Sequence, residues 1–240
     1  MRIVPEWLKN SPIAHRGLWG GDIAENSLTA YQNAVDNGFP IEIDLYETTD
    51  KEIVSFHDND LERMTNGVGK IFDKSLTELK TLTLKGTENE KIPTLKEVLA
   101  LVDGKVPLLI EIKKQSGETS VVENAIKILS DYKGEFAIQT FHPLYLKKVK
   151  KLAPHFIRGI LATDDAFDQP FIKRLILKRM SLNFLIKPDF ISYRYQALPL
   201  KKRKTKGKVV LAWTITDQQT ATDIKGFADN IIFENFIPKV

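Results

Sequence analysis

The chain has no cysteine. Disulfides, thiolate zinc sites, iron–sulfur clusters and a cysteine nucleophile are therefore excluded. It also lacks any run of 18 uncharged apolar residues, so no transmembrane helix or stable membrane insertion is expected. Low-complexity tracts, internal repeats and domain linkers are missing too. The opening residues, MRIVPEWLKNSPIAHRG, contain no apolar stretch of a secretory signal, and the expected location is cytoplasmic. What is present is ordinary for a globular protein: 240 residues, 42% hydrophobic and 28% charged. That length suits one barrel-sized domain.

The net charge of +4 hides an asymmetry. Residues 1–120 carry 14 Lys/Arg against 20 Asp/Glu, and residues 121–240 carry 21 against 11. Basic runs lie at Lys147–Lys151 and Lys201–Lys208. Such runs can attract nucleic acid or an anionic surface. Neither run has the interleaved aromatics that stack on bases, so solvated faces, and no nucleic-acid partner, are expected.

Short β-branched runs alternate with amphipathic stretches. The expected strands are Pro12–Gly17, Ile41–Tyr46, Ile53–His57, Leu108–Lys113, Phe136–Phe141, Ile157–Ala162, Phe190–Tyr195, Val209–Ile215 and Asn230–Glu234. The expected helices are Ser27–Asn37, Ser75–Leu82, Thr94–Val102, Val121–Tyr132, Pro143–Leu152, Phe167–Phe184 and Asp217–Ala228. Thr94 with Glu97 three residues on reads as a capping box. Nine strands are one too many for an eight-stranded barrel. The connection Glu47–Glu52 is too short for a parallel crossover, which takes about a dozen residues. Ile53–His57 should therefore fold back as a hairpin partner of Ile41–Tyr46. The remaining eight predict an α/β protein, a (β/α)8 TIM-type barrel, with residues 58–106 as a small insertion within the single domain. The alternative, an open doubly wound sheet, would carry a glycine-rich phosphate loop, and Gly17, Gly20 and Gly21 do not have that spacing.

Barrel active sites sit at the C-terminal ends of strands. Ionisable residues collect there: His15-Arg16-Gly17, Glu42-Ile43-Asp44, His57-Asp58 and Glu111-Ile112-Lys113. Alternation along a strand puts Glu42 and Asp44 on one face, and Glu111 and Lys113 on one face. Carboxylates crowded inside a barrel raise one another's pKa, and one hard divalent cation, Mg²⁺ or Ca²⁺, removes that penalty. The alternative is that Arg16 and Lys113 simply pair with these acids. His15 and His57 would supply a general acid and base around a phosphate, or else cap and core hydrogen bonds. His142 and His155, at helix borders, read as structural.

In order, His15-Arg16-Gly17, Glu25-Asn26-Ser27, Glu42-x-Asp44, His57-Asp58, Ile92-Pro93-Thr94-Leu95 and Glu111-x-Lys113 resemble the glycerophosphodiester phosphodiesterase family. The resemblance implies a divalent metal and hydrolysis of a small glycerophosphodiester to sn-glycerol 3-phosphate and an alcohol. It implies Glu42, Asp44 and Glu111 as metal ligands, His15 and His57 as the acid–base pair, and Arg16 and Lys113 as phosphate-binding cations. It implies that residues 58–106 cover the glycerol end of the site. A vicinal hydroxyl of the glycerol then lies within reach of phosphorus, and internal attack is favoured over direct attack by water, because an internal nucleophile gains from proximity. Three departures stand out. The turn usually reading Thr-x-Asp-Gly is Thr48-Thr49-Asp50-Lys51, the late Trp-Thr-x-Asn is Trp213-Thr214-Ile215-Thr216, and the terminal Thr-Asp-x-Pro is replaced by Phe233-Glu234-Asn235-Phe236-Ile237-Pro238. Trp213 is a candidate for the substrate pocket. Two rival readings are a catalytically inactive barrel that binds anionic lipid or polymer through its basic C-terminal half, and a related phospholipase-type phosphodiesterase.

Overall fold

The computed structural model describes residues 2–116, 119–163, 183–201, 205 and 207–239. The expected helix Phe167–Phe184 and most of the basic run 201–208 lie outside the described residues, apart from a short helix at Asn183–Ile186. The chain divides into two compact units, residues 14–136 and residues 1–13 with 137–240.

The first unit holds β1 (Ile13–His15), β2 (Ile41–Glu47), β3 (Ile53–Ser55) and β4 (Leu108–Ile112). β2 runs parallel to both β1 and β4. β3 is antiparallel to β2, with Leu45 opposite Ser55 and Glu47 opposite Ile53, so the short connection does make a hairpin. Lys51 in that turn has φ +68°. It occupies the left-handed conformation that glycine adopts without penalty, which explains why the family pattern has Gly there.

Every residue of β2 and β4 is buried. Strands of a parallel sheet are covered on both faces, so the polar residues within these two are buried along with the apolar ones. Ile41, Ile43 and Leu45 share one face of β2, and Glu42, Asp44 and Tyr46 share the other.

Three helices of this unit begin on side-chain caps. Ser27 Oγ accepts from the Ala30 N–H at the start of α2 (Leu28–Asp36). Ser75 and Glu78 form a capping box at α3 (Leu76–Thr81), and Thr94 and Glu97 form the expected one at α4 (Leu95–Val102). Each box satisfies two otherwise orphaned donors. α4 packs beside α2. Between β3 and α4, Leu61, Ile71, Leu79, Leu84 and Ile92 bury themselves with Tyr46, Val54 and Phe56 in a small core of their own. α5 (Val121–Leu129) follows β4.

The second unit holds β5 (Phe136–Thr140), β6 (Arg158–Ala162), β7 (Phe190–Arg194), β8 (Val209–Ile215) and β9 (Asn230–Phe233), paired in that order and all parallel. A register shift interrupts β8–β9 between Ala212 and Ile215. α6 (Pro143–Leu152) starts with proline at its first turn, where the missing N–H costs nothing. The short α1 (Trp7–Asn10), absent from the sequence-based expectation, is tied down by Asn230, whose Nδ2 donates to the Trp7 and Ser11 carbonyls at 3.1 and 2.7 Å. With β1, β2 and β4, the described residues contain eight parallel strands, the number of the (β/α)8 class, and a short 3-10 turn, Tyr195–Ala197, follows β7.

Candidate active site

Register builds the site. On parallel partners, residues in register point to the same face. His15 of β1 is in register with Glu42 of β2, and Asp44 of β2 with Glu111 of β4. Four of the expected polar residues thus share one face of three adjacent strands, and Lys113 just beyond β4 shares it by alternation.

One carboxylate oxygen each from Glu42, Asp44 and Glu111 lies within 4.8 Å of the other two. All three side chains are buried. Lys113 Nζ stands 3.3 Å from Asp44 Oδ1 and 3.2 Å from Glu111 Oε1. Arg16 Nε is 3.7 Å from Asp44 Oδ2, and the Arg16 backbone N–H donates to Glu42 Oε2 at 3.2 Å. Arg16 makes that last bond from a left-handed conformation, φ +61°. The neighbouring Gly17 lets the chain turn back under α2: a Cβ there would lie 2.8 Å from the Ala30 backbone. The motif His-Arg-Gly is therefore a turn requirement as well as a chemical one.

The electrostatics follow from crowding. Burial pushes the Glu42 carboxyl well up, and Asp44 and Glu111 push it further. Burial also raises Glu111; Lys113 opposes this and Asp44 adds to it. Burial works the same way on Asp44, but Lys113, His57, Arg16 and the Asn26 amide outweigh it and hold the group well below the usual carboxylate range. Lys113 stays charged, because Asp44 and Glu111 more than offset its burial. Three buried acids thus face two adjacent cations, and Glu42 is the group left short of positive charge. All-oxygen donors with one charge uncompensated fit a hard divalent cation.

The histidines are set differently. His15 Nε2 is 4.0 Å from Glu42 Oε2. His57 Nδ1 is 2.7 Å from Asp58 Oδ1. His57 and Arg63 hold Asp58 as a carboxylate against its burial. An ionised carboxylate only accepts, so His57 Nδ1 carries a proton in this bond.

All seven polar residues expected of the site lie in this unit. Trp213 lies in the other, on β8, half-buried and edge-on to Phe141 with ring centroids 5.6 Å apart. His142, beside Pro143, is the N-cap residue of α6 and stacks edge-on with Tyr145 at 4.6 Å.

The structure adds residues to which sequence reasoning gave no role. Asn26, at φ +53°, donates to Asp44 Oδ2 at 3.0 Å. The buried Tyr31 hydroxyl donates to Asn26 Oδ1 at 2.7 Å and meets Ser55 Oγ at 2.6 Å. Glu25 accepts from Arg16 Nη1 at 2.8 Å. Arg63 reaches both Glu25 and Asp58. Glu25, Asn26 and Asp58 fall inside the family motifs. Tyr31 falls within the expected helix Ser27–Asn37 without a stated role, and nothing local distinguished Arg63.

Comparison with known proteins defines the class first. A phosphodiesterase from Oleispira antarctica, solved in complex with the product sn-glycerol-3-phosphate, superposes with a TM-score of 0.79 at 25% identity, covering 93% of this chain and 92% of that one. A glycerophosphodiester phosphodiesterase from Thermotoga maritima does so with a TM-score of 0.71 at 26% identity, covering 93% and 94%. The chain is a (β/α)8-barrel phosphodiesterase by its fold and its relatives. A glycerophosphodiester phosphodiesterase from Caldanaerobacter subterraneus subsp. tengcongensis is 31% identical over 243 residues, 95% of each chain. Residues 15–235 match the model of the glycerophosphoryl diester phosphodiesterase family, and the chain belongs to that family. Among the described residues, no helix is long and apolar enough to cross a membrane.

Proposed function

We propose that the chain hydrolyses a small glycerophosphodiester to sn-glycerol 3-phosphate and an alcohol. The observation that carries this reading is the convergence of the Glu42, Asp44 and Glu111 carboxylates, flanked by Lys113 and Arg16, with two histidines at the margin. Glu42, Asp44 and Glu111 would hold one Mg²⁺ or Ca²⁺, which would supply Lewis-acid polarisation of the phosphodiester and neutralisation of its charge.

The chain's own residues do the rest. Arg16 and Lys113 orient the phosphate oxygens. One histidine takes the proton of the glycerol's vicinal hydroxyl as its oxygen bonds to phosphorus. The bond from phosphorus to the alcohol oxygen breaks, and the other histidine gives that oxygen its proton. Water then opens the cyclic phosphate with the two roles reversed. His57 exchanges its proton at Nε2, since Nδ1–H is committed to Asp58. Residues 58–106 cover the glycerol end. The Oleispira relative's bound product supports the glycerol 3-phosphate assignment. The test is release of glycerol 3-phosphate from glycerophosphocholine, with and without chelator. No release in the presence of Mg²⁺ or Ca²⁺ would reject the reading.

A further inference from the structure

Arg63 lies outside the motifs named above and on no regular element, yet its guanidinium grips two carboxylates at once. One is Asp58, held through Nε to Oδ2 and through Nη2 to Oδ1 at 3.1 Å. The other is Glu25, held through Nη1 to Oε2 at 3.1 Å and Nη2 to Oε1 at 2.5 Å. Each of these carboxylates has a second partner that belongs to the proposed chemistry. Asp58 fixes His57, and Glu25 fixes Arg16. The links form an unbroken series, His57–Asp58–Arg63–Glu25–Arg16, which continues to Asp44.

The geometry suits arginine alone. A planar fork with several donors can bind two carboxylates side by side, and a lysine ammonium cannot reproduce that. Arg63 is also anchored from behind. It follows Leu61, fully buried in the small core between β3 and α4. The guanidinium is half-exposed, so its ion pairs add little to stability. Their consequence is positional.

We propose that Arg63 is a positioning residue: it acts as a strut that fixes His57 relative to Arg16, and so the proton-transfer group relative to the phosphate. This rests on the function proposed above. Without Arg63, Asp58 and Glu25 lose the group that holds them at a set separation, and Asp58 no longer holds His57 Nδ1 in one fixed orientation. Substrate still meets Arg16 and Lys113. Proton transfer suffers, because it depends on His57 facing the reacting oxygen with the correct tautomer.

The experiment compares wild type, Arg63→Met and Arg63→Lys on glycerophosphocholine, with folding checked by circular dichroism and thermal melting. Both variants should lose about 10- to 100-fold in kcat, the usual effect of removing a group that orients an active residue. KM should stay within a few-fold. In parallel, ¹⁵N-histidine NMR reads the His57 tautomer, its signal assigned by its loss in His57→Ala. Wild type should show Nδ1 protonated, and both variants a mixture. If Arg63→Met does not fold, Arg63→Lys alone decides. A kcat within about twofold of wild type, or an unchanged His57 tautomer, overturns the proposal. A wild type with no activity rejects the proposed function instead, while the NMR arm still tests the strut.

Discussion

Asp44 on β2 and Glu111 on β4 are register partners, and Lys113 Nζ bridges them at 3.3 and 3.2 Å. Two buried acids side by side are tolerable because a partly buried cation joins them. Glu42 is in register with the apolar Leu109 on β4, so no acid stands opposite it there for a lysine to bridge.

Glu42→Gln, Asp44→Asn and Glu111→Gln should each weaken Mg²⁺ or Ca²⁺ binding by about 10-fold or more, since each deletes one anionic oxygen ligand. Calorimetric titration of the purified variants measures this directly. Wild-type affinity in all three would show that the carboxylates hold no cation.

His15→Ala and His57→Ala should each lower kcat by about 10²–10⁴-fold, the usual range for a general acid or base. Thermal melts should stay close to wild type. Near-wild-type turnover in either variant assigns that histidine a structural role.

A glycerophosphodiester whose vicinal hydroxyl is replaced by hydrogen should bind and yet turn over at background rate. Arg16 and Lys113 still engage its phosphate, while the internal nucleophile is gone. Competition against the parent substrate measures binding, and product release measures turnover. Turnover within a few-fold of the parent would mean that water attacks directly.

Glu47 sets a pH dependence of stability. Its buried carboxylate accepts from Ser120 Oγ and Asn124 Nδ2, both at 2.7 Å, and from the Ser120 N–H at 3.0 Å. Burial alone would raise its pKa, but these donors and Lys51 bring it below the ordinary glutamate value. A lowered folded-state pKa gives stability that is full above the unfolded value and fades as pH falls through the folded one. Glu47→Gln should therefore cost about 1–3 kcal/mol at neutral pH, and the difference should shrink below about pH 4. Urea unfolding across that range tests it, and a pH-independent difference would contradict the assignment.

The alternation of apolar runs determined the strands and helices, because burial on both faces leaves near-continuous apolar segments such as Val209–Ile215 and one-sided burial leaves a helical period such as Leu95–Val102. A six-residue connection was enough to identify the β2–β3 hairpin, since chain length alone forbids a crossover. The seven polar candidates could be picked out because ionisable residues at strand ends break an apolar pattern. Only tertiary structure decided the rest. Strand register, which the sequence does not write, set Asp44 opposite Glu111 and His15 opposite Glu42. Arg63 and Tyr31 acquire their partners 38 and 24 residues away, Glu25 and Ser55, through chain folding. A half-exposed arginine and a helical tyrosine look ordinary in sequence, because hydrogen-bond geometry between distant segments leaves no trace in local periodicity.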